Sequence, residues 1–118
     1  MNATVDRYFH LVDAAVQGQA QIDALTALFA DEGVLTAADG SAASGRTAIR
    51  AYLEYFYTHV TEQNRHYYVI TSENDGRVEA DWAVAGKLRQ GGVIALQGHN
   101  VFQLAWDGRI KSLQVFNA

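Results

Sequence analysis

Residues 74–106 read NDGRVEADWAVAGKLRQGGVIALQGHNVFQLAW, and the period of two in this stretch decides the fold. Val78, Ala80, Trp82, Val84, Gly86 and Leu88 alternate with a set containing Glu79, Asp81, Lys87 and Arg89. Such alternation marks a strand with one buried face. Over 93–106 the same pattern puts Ile94, Leu96, Gly98, Asn100, Phe102 and Leu104 on the core side. Val93, Ala95, Gln97, His99, Val101 and Gln103 fall on the other side. Asn74-Asp75-Gly76, Gln90-Gly91-Gly92 and Asp107-Gly108 separate the runs, and glycine there supplies the positive φ of tight hairpins. Extending outward, 65–73 and 109–117 join 77–89 and 93–106 as a four-stranded antiparallel meander.

Upstream the period changes to that of a helix. Val5, Tyr8, Phe9, Leu11, Val12, Ala15 and Val16 form one stripe, with Asp13 at its edge. A second short helix carries Ile22, Leu25, Leu28 and Phe29. Gly33 then permits a turn into a short strand, Val34–Thr36, and the small polar run 38–45 reads as a loop. Ser44 is placed to cap a third helix from Thr47 to about His59, with the stripe Ile49, Tyr52, Leu53, Phe56 and Val60. Helices followed by strands imply an α+β domain with three helices packed on a strongly curved antiparallel sheet, spanning 1–118.

Composition narrows the function. The chain has 118 residues, 49% of them hydrophobic, enough for one core and too apolar for a disordered chain. Nine basic against thirteen acidic residues leave a net charge of −4. No basic stripe exists for nucleic acid. Absence of cysteine excludes a thiol nucleophile and thiolate metal ligation. His10, His59 and His99 have no metal-ligand spacing, and no glycine-rich strand-to-helix turn suggests a nucleotide cofactor. No apolar run approaches a membrane span, and the N-terminus lacks the pattern of a signal peptide. The expectation is a cofactor-free cytoplasmic protein without membrane or nucleic-acid partners. The mixed outer face of 93–106 suits a partner sheet, so a homodimer through that face is expected.

Two polar residues stand out on apolar faces. Asn100, among Leu96, Phe102 and Leu104, must find hydrogen bonds or cost roughly 1–3 kcal/mol. His66 shares its strand face with Tyr68 and Ile70. Each is either satisfied structurally or turned toward a polar-lined pocket. Tyr52, Tyr55, Phe56 and Tyr57 cluster on the third helix, where they serve as core or as walls for a flat apolar ligand.

The order and spacing of four segments resemble the nuclear transport factor 2-like superfamily, in its SnoaL-like and ketosteroid-isomerase-like branch. These are Tyr8–Asp13 (YFHLVD), Leu28–Leu35 (LFADEGVL), Gly45-Arg46 with Ile49, and Asp107-Gly108-Arg109-Ile110. The resemblance spans nearly the whole chain. It implies a cone-shaped barrel with an apolar pocket, in a family of isomerases, dehydratases, cyclases, epoxide hydrolases and non-catalytic binding proteins. Fold alone does not choose among these.

By resemblance to ketosteroid isomerases, Tyr8 falls at the oxyanion-donor tyrosine and Asn100 at the second donor. Their carboxylate base falls at Ala37, with Asp39 two residues away. By resemblance to scytalone dehydratase, Asp13 and His66 match an Asp–His pair, while that family's second histidine falls near Leu88. Arg65-His66 also resembles an Arg-His pair at this strand start in dioxygenase small subunits. The family's epoxide hydrolases use an Asp-Arg-Asp set, with an Arg and an Asp alternating on one strand; here Glu79 and Asp81 alternate, and they face away from the core. The expected catalytic set is therefore His66, Asp13, Tyr8 and Asn100. Expected pocket walls are Tyr52, Phe56, Tyr68, Trp82, Phe102, Leu113 and Asn117. The function implied is an isomerase, dehydratase or cyclase acting on a small apolar or aromatic carbonyl compound. The competing reading is a non-catalytic domain that binds a small hydrophobic molecule or assembles as a dimer.

Overall fold

The structure, a computed structural model, describes residues 2–118. Helix α1 spans Ala3–Ala14, and Asn2 caps it by accepting from the Val5 backbone N–H at 3.1 Å. A short 3₁₀ turn, Ala15–Gln17, and the positive φ of Gly18 lead into α2, Gln19–Thr26. Strand β1 is Phe29–Thr36, β2 is Ala42–Ser44 and α3 is Arg46–Tyr55. A widened π-helical turn, Phe56–Val60, continues α3 directly into β3, Thr61–Asn74. Strands β4 (Arg77–Leu88), β5 (Val93–Leu104) and β6 (Ile110–Asn117) complete the chain.

The six strands form one open, curled sheet in the order β2-β1-β6-β5-β4-β3. Its inner face and the helices enclose a core in which Val5, Leu25, Phe29, Ile49, Val78, Phe102, Ile110 and Leu113 are fully buried. The β4–β5 register is the one expected from alternation: Trp82 opposes Gly98, Ala80 opposes Asn100, and Asp81 opposes His99. Glu79 and Asp81 accordingly lie on the outer face.

The structure corrects four local expectations. The sheet is mixed, because β1 runs parallel to β6 while every other pairing is antiparallel. Phe29 begins a strand rather than closing a helix, and its carbonyl is held by Arg46 Nη2 at 2.5 Å. Gly33 is no turn. A Cβ there would lie 2.9 Å from the Ile110 carbonyl, so the residue is small because β6 crosses close to it. Finally, Ser44 belongs to β2, and Gly45 takes the cap position of α3 with φ 88° and no side-chain bond.

Candidate functional site

Between the helices and the inner sheet face lies a cavity of about 290 Å³, toward the lower end of small-molecule sites. Its walls come from five directions. Helix α1 supplies Tyr8, Phe9 and Val12, and α3 with its π-helical turn supplies Tyr52, Leu53, Phe56, Tyr57 and Val60. Strands β3 and β4 give Thr61, Asn64, His66, Trp82, Val84 and Leu88. Strands β5 and β6 give Ile94, Leu96, Asn100, Val115 and Asn117, and the loop after β1 gives Ala37 and Ala38. The lining contains no Lys, Arg, Asp or Glu. Partly exposed Tyr52 and Leu96 mark the rim.

His66 stands in this wall with Asp13 behind it. The Asp13 carboxylate lies 2.7 Å from His66 Nδ1 through Oδ1. It also accepts the His66 backbone N–H, at 2.9 Å to Oδ2 and 3.2 Å to Oδ1. The same carboxylate therefore fixes both the ring and the strand that carries it. A carboxylate only accepts, so Nδ1 carries a proton, and in the neutral ring Nε2 holds the lone pair. Among the described residues Nε2 has no hydrogen-bond partner. The ring packs edge-on against Trp82, with centroids 5.9 Å apart, and tilts against Phe9 at 6.0 Å.

Tyr8 and Asn100 form the second polar feature. Asn100 is buried, and its Oδ1 accepts the Trp82 indole N–H at 2.9 Å. Tyr8 packs edge-to-face on Phe102, two residues further along the same strand face, at 5.2 Å. Burial first, and then the neighbouring Tyr52 hydroxyl, pushes the Tyr8 hydroxyl well above its ordinary pKa; the nearby Asn100 amide offsets part of this. Tyr8 is thus a neutral donor throughout the physiological range. Tyr57 is raised by the same desolvation, and its hydroxyl donates to the Val12 carbonyl at 2.9 Å.

His66, Tyr8, Asn100, Tyr52, Phe56, Trp82 and Asn117 thus share the cavity, with Asp13 bonded to His66 from outside it. Three expected wall residues lie elsewhere. Phe102 and Leu113 are fully buried in the core below the cavity. Tyr68 stacks on Phe9, centroids 4.1 Å apart, and its hydroxyl donates to Asp6 at 2.6 Å. Desolvation and that carboxylate push the Tyr68 pKa up to about 12. Thr61 and Asn64 are cavity residues the sequence reading missed, because β3 starts at Thr61 rather than at residue 65. Their signal was present, since Asn64 and His66 alternate on one face.

Ala37, at the position resembling the isomerase base, lines the cavity and brings no carboxylate. Asp39 is fully exposed and tied to the turn, accepting from Ser41 N at 2.9 Å and Ser41 Oγ at 2.6 Å. On the outer face His99 bridges Asp81 at 2.7 Å and Glu79 at 2.8 Å. Among the described residues no His, Asp and Glu cluster is arranged to hold a metal ion, and no helix is long and apolar enough to cross a membrane.

A curled sheet wrapped by three helices around an apolar cavity defines the nuclear transport factor 2-like class. Residues 5–113 match the SnoaL-like domain model, and the chain belongs to that family. A solved NTF2-like protein of unknown function from Exiguobacterium sp. 255-15 is 30% identical, covers 98% of both chains and superposes with a TM-score of 0.86. A provisionally assigned aromatic ring hydroxylase from Novosphingobium aromaticivorans is 18% identical, with a TM-score of 0.74 over 97% of this chain and 83% of its own. A hypothetical protein with a ketosteroid isomerase-like fold from Catenulispora acidiphila, in complex with trimethylamine, is 19% identical, with a TM-score of 0.74 over 97% of this chain and 84% of its own. The last two share the fold alone. No curated protein matches the chain in sequence.

Proposed function

We propose that this SnoaL-like protein is a cofactor-independent acid–base enzyme acting on a small, uncharged apolar or aromatic carbonyl compound. The observation that carries the reading is the Asp13–His66 pair, with Nδ1 committed to the carboxylate and Nε2 free at the cavity wall. Nε2 takes a proton from the carbon beside the substrate carbonyl, and the C–H electron pair moves into an enolate. Tyr8 O–H and the Asn100 amide donate to the developing oxygen anion. The imidazolium, stabilised by Asp13, then returns the proton. Delivery to another carbon gives isomerisation, and delivery to a β-hydroxyl expels water.

A lining without fixed charges favours an uncharged substrate, since a carboxylate or phosphate would enter without a counter-charge. The base stands on β3 rather than at Ala37, so a substrate would present its acidic carbon to a different wall than in the ketosteroid isomerases the sequence resembles. The test is a screen of small enolisable ketones and β-hydroxy ketones, repeated with His66→Ala. A substrate turned over by the wild type and lost with His66→Ala supports the reading. Equal turnover by both refutes the role of His66.

The apolar aromatic walls also favour a second reading, a binding protein without turnover. It predicts that neutral hydrophobic ligands raise the melting temperature through native-state binding while no candidate reacts.

A further inference from the structure

The Trp82 indole decides which end of the Asn100 amide meets the cavity. An indole N–H only donates, and of the two amide ends only the oxygen accepts. The 2.9 Å bond from Trp82 Nε1 therefore fixes Asn100 Oδ1 on the indole side, within buried surroundings. The amide NH2 is left at the opposite edge of the planar amide from the indole, and Asn100 lines the cavity beside Tyr8. Without the indole N–H the amide is free to turn over. It would then present a carbonyl oxygen, which repels an anion, where a donor is needed.

The indole holds this place because its neighbour on β5 has no side chain. Trp82 opposes Gly98 across the β4–β5 ladder. A Cβ at Gly98 would collide with Trp82 Cζ2 and the Phe116 carbonyl, and would lie 2.9 Å from Trp82 Cε2. The ring thus lies directly over the Gly98 backbone. Asn100 is the next residue on that face, two positions along, so the indole edge reaches its amide. Gly98 is not in the positive-φ region, so its smallness serves the indole and the close β6 backbone rather than a turn.

We propose that Trp82, seated on Gly98, is a positioning residue that turns the Asn100 NH2 into the cavity, where it joins the Tyr8 hydroxyl as a pair of donors for one anionic oxygen. The proposal rests on the acid–base reading above, which requires such a pair.

The test uses 4-nitrophenolate as an oxyanion probe and nitrobenzene as its neutral counterpart, titrated into wild type, Trp82→Phe, Asn100→Leu and the double variant. Wild type is expected to bind the phenolate more tightly than nitrobenzene. Trp82→Phe is expected to weaken the phenolate about ten- to hundredfold, the range for hydrogen bonds to charged groups, and nitrobenzene less than about twofold. In the Asn100→Leu background, Trp82→Phe is expected to add no further loss, because the indole acts through the amide. Equal weakening of both probes, or full additivity in the double variant, overturns the proposal, since the indole would then only pack. No phenolate preference in wild type overturns the donor pair itself, and the proposal with it. Should Trp82→Phe not fold, exchange of the Trp82 indole N–H in wild type decides the matter. Strong protection is expected, and exchange at the rate of a free indole refutes the bond.

Discussion

Asp13→Asn removes one charge and keeps the shape of the side chain, so its consequences follow from hydrogen-bond geometry. The carboxylate now serves two donors, the His66 ring at 2.7 Å and the His66 backbone N–H at 2.9 Å. An amide has a single acceptor oxygen and cannot serve both without setting its NH2 against a donor. If the oxygen keeps the backbone, the NH2 faces Nδ1, the ring proton moves to Nε2, and the base is gone. A charge-assisted hydrogen bond contributes about 1.5–3 kcal/mol. With the His66 and Asp13 side chains 16% and 29% exposed, the lower end applies, about 1.5 kcal/mol. For a domain of this size that corresponds to a fall in Tm of roughly 5 °C. Turnover of a substrate found in the screen is expected to drop about 10²- to 10⁴-fold, the range for losing an oriented general base. Thermal melting and kcat are measured on the same preparation. An unchanged Tm would refute the hydrogen-bonded pair as drawn. A lowered Tm with undiminished kcat would leave the pair as a structural clasp and refute its part in catalysis.

Three further outcomes are expected. Asp81 first, and then Glu79, raises the His99 pKa above 6.5, so folding favours protonated His99. Its contribution is therefore complete below the unfolded value and lost as pH rises through the higher folded value. The wild-type urea midpoint should fall more between about pH 6 and pH 9 than that of His99→Gln, and parallel curves would refute the linkage. Tyr57→Phe leaves the Val12 carbonyl without its donor and should cost about 1–2 kcal/mol in urea denaturation; a loss below about 0.3 kcal/mol would mean that water or Asn64 replaces the bond. The outer sheet face, where Tyr67, Val69 and Phe116 are exposed, is expected to seat a second copy of the chain. Sedimentation at micromolar concentration should then show a dimer that Val69→Lys dissociates, and a monomeric wild type would refute it.

What the sequence made legible is what local chemistry encodes. The β3–β4 and β4–β5 hairpins close on Asp75-Gly76 and Gly91-Gly92, and all four residues have positive φ. Turn and alternation together set the register that puts Asn100 inside and His99 outside. The parallel β1–β6 pairing has no such signal, because no turn joins strands separated by most of the chain. Phe29 shows the same limit. Its spacing after Ile22 and Leu25 fits a helical stripe, but burial against Ile110 requires only an apolar residue, and a strand meets that demand equally well.

The candidate site divides along the same line. Alternation gives the face of a residue and not its depth along the strand. Asn100 and Phe102 share a face of β5, and Val115 and Leu113 share a face of β6. Yet Asn100 and Val115 reach the cavity while Phe102 and Leu113 lie beneath it in the core. Tyr68 follows His66 on one face of β3, but one step further along it stands past the cavity and covers Phe9. Asp13 presents the converse case. A helical wheel places it at the edge of an apolar arc, where solvent and a buried partner are equally served. What turns it inward is β3, whose backbone N–H at His66 arrives beside the end of α1 and needs an acceptor. The acid–base pair is therefore a product of where β3 crosses α1. The carboxylate that accepts the backbone N–H at that crossing also holds the imidazole through Nδ1, so one side chain both fastens the sheet to α1 and orients the group on which the proposed chemistry rests.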